Sequence, residues 1–595
     1  MEGGGASTPP GEGGFSSRLS RALPILRWGR TYRPATLAED GIAALIVAAM
    51  LVPQALAYAL LAGLPAQVGL YASVLPLLAY ALFGTSRALA VGPVAVISLM
   101  TASALGDIAP PGTGEYVAAA LVLALMSGVF LVALGVFRLG FLGHFLSHPV
   151  IAGFVTATAL LIAASQFQHL VGIEGSGTTL YEMLTNLAAR LPDADVATAA
   201  VGGGAVAALL AARAGLATLL TRLGASARAA DLATKLAPLA VVVVTTAAAA
   251  AFDLAGRGVD ILGDIPSGLP PLTTPSFAPD IWLQLAGAAV LVSIVGFAES
   301  LSVAQTLAAR RRERVDPDQE LVGLGASNIA ASFTGGYPVT GGFSRSVVAF
   351  DAGARTPAAG ALTAICVALV AWSLTPLLYY LPRATLAAII IVAVMSLFDF
   401  RAILRTWRYS GRDFAAVAIT IGTTVIAGVE VGLLAGVAAS IALYLYRTSK
   451  PHIAVVGLVP GTEHFRNVSR HEVVTSPEVL SLRVDESLYF ANARFLEDRV
   501  TELVSERPTT RHVVLQCAAI NEIDASALES LRSMNERLSA RGVSLHLSEV
   551  KGPVMDALQR TELLGELTGR AYLTHYGALA DLAPDVVARG GREAP

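Results

Sequence analysis

Cysteine and charged residues are both scarce in this sequence. Only Cys366 and Cys517 occur among its 595 residues, which leaves no disulfide framework and no cysteine-based zinc cluster. Charged residues make up 14 % of the chain, whereas a soluble domain usually carries about 25 %. The net charge of −3 gives no electrostatic case for nucleic-acid binding. Because no histidines have metal-ligand spacing and no nucleophile–base pair can be assembled, we expect no metal, no cofactor and no enzyme.

Apolar residues are abundant, and the distribution of charge divides the chain. Apolar residues make up 54 % of it and give a mean hydropathy of +0.63, which is too apolar for a soluble enzyme of this size. Charged residues are about twice as frequent after Pro451 as before it, which indicates a membrane region followed by a soluble domain. We predict a flexible cytosolic tail over residues 1–38, a transmembrane domain over 39–448 and a cytosolic domain over 452–590.

Fourteen apolar segments are candidate membrane spans, since a helix needs about 20 apolar residues to cross the hydrocarbon. The long ones are 41–61, 116–137, 150–171, 196–220, 235–252, 281–301, 358–380, 414–429 and 431–446, and the shorter ones are 68–83, 92–105, 321–333, 343–351 and 385–398. Arginines concentrate on one side, as at 310–314, while the opposite loops contain only Arg190, Arg257 and Arg383. We therefore expect an integral protein of the inner (cell) membrane with both termini in the cytoplasm.

Two segments of the membrane region have similar sequences. Residues 68–73 (VGLYAS) resemble residues 322–327 (VGLGAS), and a glycine-containing break follows each, at Gly92 and Gly342. Chance similarity in a sequence rich in Gly, Ala and Leu is the alternative to a true repeat. Seven spans per half is an odd number, so the second half would be inverted, with repeats at about 39–255 and 280–448. Inverted halves with interrupted short segments are typical of secondary transporters.

Each break begins a short apolar segment. Val94 and Ala95 begin one half-helix, and Phe343, Ser344 and Arg345 begin the other. A helix that starts at mid-membrane exposes unpaired N–H groups and its positive dipole end, and such backbone survives only where it lines a cavity. Two of these ends facing each other make an anion site, so we predict an anionic substrate.

Polar residues within the membrane region are further candidates for this site. Gln54 and Tyr58 lie one helical turn apart, and either line the site or make an interhelical hydrogen bond and an aromatic contact. Glu299 lies deep in an apolar span, where ionisable residues are usually functional, and we predict that it couples transport to a proton or another cation. A fixed ion pair with Arg345 is the alternative for Glu299. Arg345 either attracts the anion or anchors its half-helix, and Ser344 is predicted to donate a hydrogen bond to the substrate.

After residue 452, short β-like runs alternate with amphipathic helices. Strands are predicted over 479–484, 487–492, 511–517 and 543–548, and helices over 493–505, 526–540 and 553–560. This order indicates a small α/β domain with a mainly parallel sheet.

Several motifs, in this order along the chain, are those of a known family. They are VPQALAYA at 52–59, GLY at 69–71, FGTSR at 83–87, VGP at 91–93 and GGFSRS at 341–346. The chain resembles a SulP-type anion transporter, the group that includes the sulfate permeases, and IDASAL at 523–528 resembles the loop of a STAS domain. The resemblance implies two inverted halves divided into a core and a gate, an elevator-like motion and a homodimer.

The resemblance also implies roles for single residues. It places the anion between the third and tenth spans, with Arg345 beside a site lined by Gln54, Tyr58, Val94 and Ser344. Bicarbonate-transporting relatives have a sodium-binding aspartate where this chain has a glutamate, at 299, and glutamate is closer to the proton-coupled sulfate pattern.

Two further positions bear on coupling and regulation. Val303 lacks the hydroxyl group that sodium-coupled members have at this position. Sodium coupling is therefore less favoured for this chain. Ser526 matches a serine that is phosphorylated in bacterial anti-sigma-factor antagonists, but we predict a helix N-cap as its role and keep phosphorylation as the alternative.

Together these patterns predict a mostly α membrane protein with fourteen transmembrane segments, followed by a small cytosolic α/β STAS domain. The favoured function is secondary active uptake of sulfate with protons, in a lipid bilayer and as a homodimer. A transporter or exchanger of bicarbonate, chloride or a dicarboxylate, an anion channel, and an anion sensor that signals through its STAS domain stay open as alternatives.

Overall fold

The computed structural model describes residues 22–141, 148–173, 177 and 179–590. Residues 1–21 of the predicted tail lie outside the described residues. The chain divides into two compact units, Met1–Ser440 and Ile441–Pro595. The first is almost entirely helical, and the second contains a six-stranded sheet with helices. This confirms the predicted fold class of a mostly helical membrane protein with a C-terminal α/β domain.

Helices α1 to α12 and the short strand β1 make up the first part of the membrane unit. The helices are Ile25–Trp28, Pro34–Leu61, Ala66–Tyr71, Leu75–Phe83, Ala95–Gly106, Gly114–Val136, His148–Val171, Leu180–Arg190, Val196–Ala211, Ala217–Arg222, Ala227–Lys235 and Ala237–Ala251, and β1 is Val91–Gly92. α2 begins at Pro34, where the missing N–H of proline leaves no hydrogen bond unmade. Pro53 lies inside the same helix and removes one backbone hydrogen bond directly before Gln54.

Helices α13 to α20 and strand β2 follow. The helices are Pro279–Arg311, Pro317–Ser332, Phe343–Ala352, Ala358–Leu369, Arg383–Val394, Phe400–Tyr409, Gly411–Ala427 and Val429–Ser449, and β2 is Thr340–Gly341. α14 starts at Pro317 with Asp316 as its N-cap, whose carboxylate accepts hydrogen bonds from the N–H groups of Asp318 and Gln319. Polar caps of this kind fix where the apolar helices begin.

Nine helical stretches of the described residues are long and apolar enough to cross a membrane. A tenth results if Ala229–Lys235 and Ala237–Ala251, which are bent by 53°, form one span. Some predicted segments are helices too short to cross alone, since α5 has 12 residues and α15 has 10. The count of fourteen spans therefore stays a prediction.

The two predicted breaks are extended segments that pair with each other. β1 and β2 are antiparallel, with Val91 opposite Gly341 and Gly92 opposite Thr340. α5 begins shortly after β1, and α15 begins shortly after β2. Neither segment is a continuous helix, and both short helices start from one shared backbone pair.

Close contact between α6 and α14 depends on glycine. A Cβ added at Gly325 would lie 2.7 Å from the carbonyl oxygen of Gly128, and a Cβ added at Gly128 would lie 2.8 Å from that of Gly325. Small residues that let backbones approach are typical of membrane helix contacts. Buried apolar residues of α6, α13 and α14 form one cluster, and those of α2, α9, α16 and α17 form a second.

The second unit contains a mixed sheet with the strand order β4-β3-β5-β6-β7-β8. Strands β3 to β8 are Ile453–Leu458, Phe465–Asn467, Val479–Val484, His512–Gln516, Ser544–Ser548 and Ala571–Tyr572, and helices α21 to α26 are Ala493–Ser505, Ala525–Ser539, Gly552–Leu558, Leu563–Glu566, His575–Leu582 and Pro584–Gly590. β5 to β8 are parallel, and β3 is antiparallel to both of its neighbours. The sheet is thus mainly parallel, as its sequence pattern indicates.

The strand predicted over 487–492 is wrong. Only Leu488 in this segment forms a bridge, an isolated one to Ile523. Asn492 instead folds the segment into a turn, because its Oδ1 accepts from the N–H of Tyr489 and its Nδ2 donates to the carbonyl of Ser487.

The N-cap predicted at Ser526 is also wrong. α22 begins at Ala525, and its N-cap is Asp524, whose Oδ1 accepts from the N–H of Ala527 at 2.8 Å. Ser526 lies exposed in the first turn of the helix. Its phosphorylation stays a prediction.

Candidate functional site

A cavity of about 60 Å³ lies where the starts of α5 and α15 meet α2, α13 and the end of α17. This space holds several water molecules, since one needs about 10–15 Å³. All eight residues that the sequence predicted for substrate and proton line it: Gln54, Tyr58, Val94, Ala95, Glu299, Phe343, Ser344 and Arg345. Residues from four helices that are far apart in the sequence are thus brought to one place.

Sequence reasoning missed the remaining wall of the cavity. Its other lining residues are Val96, Gly342, Ala393, Val394, Ser396 and Leu397. The last four come from the end of α17 and the turn after it. The shortness of the predicted segment 385–398 was a signal, because interrupted segments often border such sites. Nothing in that segment, however, distinguishes Ser396 from any other serine.

The two half-helices begin without side-chain caps. Val94 is the N-cap of α5 and Gly342 is the N-cap of α15; both are extended, and neither helix has a side chain bonded to its first turn. A Cβ added at Gly342 would lie 3.2 Å from Cγ1 of Val94, so the two N-caps are in contact. Uncapped first-turn N–H groups and two positive dipole ends therefore border the cavity.

Arg345 lies in the wall of the cavity beside both breaks. It is 2 % exposed, and its Nη1 donates to Oε1 of Gln54 at 3.3 Å. Nε and Nη2 have no hydrogen-bond partner among the described residues. A Cβ added at Gly342 or at Gly92 would lie 2.9 Å or 3.4 Å from Nη2, so both glycines leave room for the guanidinium. A buried guanidinium with two free donors is suited to bind an oxyanion.

Glu299 lines the same cavity from α13. Its Oε2 is buried and has no hydrogen-bond partner in the described part of the chain. Among the described side chains Glu299 forms no direct ion pair with Arg345, although the two groups lie close enough to interact electrostatically. An unpaired carboxyl group in a small cavity changes the net charge of that cavity when it gains or loses a proton.

A chain of hydroxyl groups holds β2 against α13. The N–H of Gly341 donates to Ser300 Oγ at 2.8 Å, and Ser300 Oγ lies 2.6 Å from Thr340 Oγ1, which donates to the carbonyl of Gly296 at 2.6 Å. Since Ser300 Oγ accepts from the N–H of Gly341, its own hydroxyl proton is available to donate to Thr340. Both hydroxyl groups of this chain therefore donate and accept a hydrogen bond. These residues position the break and do not line the cavity.

Ser346 positions the other break, at β1, in a similar way. Its Oγ accepts from the N–H of Ala90 at 2.9 Å and donates to the carbonyl of Gly342 at 2.7 Å. Val303, one turn after Glu299, is buried in an apolar cluster and does not reach the cavity.

Comparison with known proteins agrees with this geometry. The model of the sulfate permease family matches residues 37–420, and that of the STAS domain matches residues 470–578. The chain belongs to the sulfate permease family. Its relatives include sulfate transporter 4.1, chloroplastic, of Arabidopsis thaliana, which is 35 % identical over 93 % of this chain and 81 % of its own length. High affinity sulfate transporter 2 of Stylosanthes hamata is 32 % identical over 96 % of this chain and 88 % of its own.

Solved structures share the fold. The murine solute carrier 26 family member A9 anion transporter, in its inward-facing state, aligns with a TM-score of 0.85 at 22 % identity over 97 % of both chains. The transmembrane domain of a cyanobacterial bicarbonate transporter aligns with a TM-score of 0.57 at 21 % identity, over 69 % of this chain and 98 % of that one. The relatives of this family are transporters rather than enzymes, and membership supports anion transport as the activity.

Proposed function

We propose that this protein is a secondary active transporter that takes up sulfate together with protons. The observation that carries the proposal is a single small cavity bordered by two uncapped helix starts, by the free donors of Arg345 and by the unpaired carboxyl of Glu299. The names of the plant relatives favour sulfate among the small anions.

Charge balance supports the coupling to protons. Sulfate brings two negative charges, Arg345 supplies one positive charge, and each helix start supplies about half a charge more. The loaded cavity is therefore close to neutral only when Glu299 is protonated. Because an unbalanced charge at mid-membrane costs on the order of 3 kcal/mol or more, sulfate and a proton bind most favourably together.

The residues divide the work of binding in this proposal. Nε and Nη2 of Arg345, the first-turn N–H groups of both half-helices and the Ser344 hydroxyl donate to sulfate oxygens, while Tyr58 and Phe343 wall the site. The paired half-helices move with the anion against α17 in an elevator-like step. The protein lies in the cell membrane as a homodimer, with both termini in the cytoplasm.

Uptake of radiolabelled sulfate into proteoliposomes tests this function. With the outer solution more acidic, we expect sulfate to accumulate above its equilibrium level, and a protonophore to abolish the accumulation. Protein-free vesicles are the control. Uptake that never exceeds equilibrium and ignores the pH gradient would instead indicate an anion channel.

Competition identifies the substrate. Excess molybdate, which has the same shape and charge, should compete strongly, whereas chloride, bicarbonate and fumarate should compete weakly. Stronger competition by one of these three than by unlabelled sulfate would assign the site to that anion and overturn the choice of sulfate.

A further inference from the structure

A second and larger cavity, of about 330 Å³, lies further along the contact between α2 and α17. It is bordered by α2 and the turn after it, by the turn after α5, by the end of α7 and by the start of α17. Leu60, Gln166, His169, Arg383 and Ala387 are among its lining residues, and none of the described residues that line it is acidic. A cavity whose wall contains one cation and no acidic residue has a positive electrostatic potential, which attracts an anion.

The two cavities border the same two helices. The first borders α2 at Gln54 and Tyr58 and α17 at Ala393 and Val394, whereas the second borders α2 at Ala57 and Leu60 and α17 from Arg383 to Ile390. Along α2 the two linings overlap, and along α17 they come within three residues, about 4.5 Å at a rise of 1.5 Å per residue. No residue is common to the two linings. The second cavity is therefore a distinct space directly beside the first.

Arg383 gives the second cavity a positive charge, and the nearby Asp260 interacts electrostatically with His169 of the same wall. The backbone N–H of Arg383 donates to the carbonyl of Asp260 at 2.9 Å, but its exposed guanidinium makes no ion pair among the described residues. Arg383 is also the first residue of α17, which has no side-chain cap. The positive end of the helix dipole thus adds to the charge of the side chain.

Gln166 and His169 complete the polar wall from α7. Gln166 is only 5 % exposed, and its Nε2 makes a single long contact, of 3.4 Å to Ser165 Oγ, within the described part of the chain. A buried amide without a good partner is costly unless water or a ligand completes its hydrogen bonds. The cavity therefore combines a cation, a helix start and an amide with unused hydrogen-bonding capacity.

Building on the proposed transport function, we propose that this cavity is a second anion site, at which a small hydrated oxyanion such as sulfate is held before it enters the first site. Its volume accommodates the anion with part of its hydration shell. In the proposed orientation it opens to the outside of the cell. Arg383 raises the local concentration of the anion there.

Sign-selective labelling of a thiol measures the potential of this cavity directly. Leu60, which is partly exposed in the cavity wall, is replaced by cysteine in a Cys366→Ala, Cys517→Ala background. The purified protein is treated with an anionic sulfonatoethyl and a cationic trimethylammonioethyl methanethiosulfonate, and each rate is divided by that for a free thiol. We expect the anionic reagent to be favoured, and sulfate to slow its reaction.

Arg383→Gln should lower the anionic-to-cationic rate ratio by about tenfold, because it removes a unit charge from the wall of the cavity that holds the thiol. Arg257→Gln is the matched control, since it removes one arginine charge from a loop residue that does not line the cavity. Equal ratios with and without Arg383, or an equal loss in the Arg257 variant, would overturn the second site.

Transport gives an independent measurement. Arg383→Gln should raise the KM for sulfate about threefold to tenfold, while Arg383→Lys and Arg257→Gln stay near the wild-type KM. If the wild type transports sulfate but neither KM nor labelling ratio depends on Arg383, the second site is wrong and the proposed function stands. If labelling depends on Arg383 and on sulfate but no uptake occurs, the site stands and the transport function is wrong.

Discussion

Arg345 and Glu299 contribute two different kinds of charge to one cavity. Arg345 keeps one hydrogen bond, to Gln54, and leaves two donors free, while Glu299 leaves one buried oxygen without a partner. A guanidinium keeps its proton in a protein, whereas a carboxyl group can release it. The positive charge of the cavity is therefore permanent, whereas in the proposed transport cycle the charge at Glu299 changes.

Glu299→Gln is expected to remove the response of sulfate uptake to a pH gradient. A carboxamide imitates the protonated acid but cannot release a proton, so sulfate should enter down its own gradient without being concentrated. Uptake of labelled sulfate at several outside pH values measures this. Glu115→Gln, at an exposed glutamate in the first turn of α6, is the control and should retain the response. Accumulation with an unchanged pH response in the Glu299 variant would show that this residue carries no proton.

Arg345→Lys is expected to weaken sulfate binding by about tenfold, although it keeps the charge. A lysine ammonium lacks the planar arrangement of Nε and Nη2 that offers two parallel donors to an oxyanion. Isothermal titration with sulfate measures the affinity, and thermal unfolding checks that the variant folds. Equal affinities would mean that Arg345 acts only as a point charge or as an anchor for its half-helix.

The residues of the candidate site could be predicted from the sequence where their types are rare in a membrane interior. Glu299 and Arg345 stand out because ionisable side chains are rare there. Ser300 and Ser396 do not, since a serine in an apolar helix commonly bonds to its own backbone. The N-cap was assigned to Ser526 instead of Asp524 because both are common capping residues and only the start of the helix distinguishes them.

At the scale of structural elements, the starts of α5 and α15 depend on the absence of a side chain between them. The N-cap Gly342 lies against both Val94 and the guanidinium of Arg345. A methyl group there has no free space and must move one of these neighbours. The geometry of the proposed anion site therefore depends on a residue that has no side chain to contribute to it.

Gly342→Ala is expected to lower sulfate transport by at least tenfold while the protein still folds. The new Cβ would lie 2.9 Å from Nη2 of Arg345, so the guanidinium must leave its place in the wall. Gly360→Ala is the matched control, because that glycine lies in α16 with open space around it, and its stability should change by no more than about 1 kcal/mol. Full activity of the Gly342 variant would indicate that the position of the guanidinium is unimportant.

In the C-terminal domain, burial lowers the pKa of His575 to about 4, despite the nearby Glu549. The neutral ring shares a hydrogen bond of 2.7 Å between Nδ1 and Ser548 Oγ. Because the unfolded chain takes up a proton near pH 6.5 and the folded domain does not, stability is complete above pH 6.5. It should fall by on the order of 3 kcal/mol as the pH drops towards 4.

Hydrogen exchange of the β7 amides in the full-length protein, measured at several pH values, checks this expectation. His575→Gln should flatten the dependence on pH, since glutamine does not titrate. His464→Gln, at an exposed histidine, should leave it unchanged. Stability that rises as the pH falls from 6.5 to 4 would contradict the argument from burial.

Secondary structure was predictable where the sequence pattern is strong. The helix predicted over 493–505 has the observed bounds Ala493–Ser505, because its apolar residues recur at helical spacing. The strand predicted over 487–492 failed because Asn492 satisfies two backbone groups of its own segment, which lets a turn replace sheet pairing. Local composition does not reveal that competition.

At the scale of the whole molecule, the orientation in the membrane rests on the distribution of arginines. We expect tags at both termini to be protected from protease added outside intact cells. A cleavage site inserted after Arg257, in the loop between α12 and α13, should be cut under the same conditions. Permeabilised cells, in which all three sites are accessible, are the control. Digestion of either terminal tag in intact cells would contradict the proposed orientation.

The backbone pair of β1 and β2 joins two stretches that are about 250 positions apart in the sequence. Val91 and Gly341 are paired, so neither β1 nor β2 can be displaced without straining the other strand. Chimaeras between members of the family should therefore exchange both stretches or neither. A graft of one stretch alone would pair two segments from different proteins, and it should distort the proposed anion site even if every side chain in that site were kept.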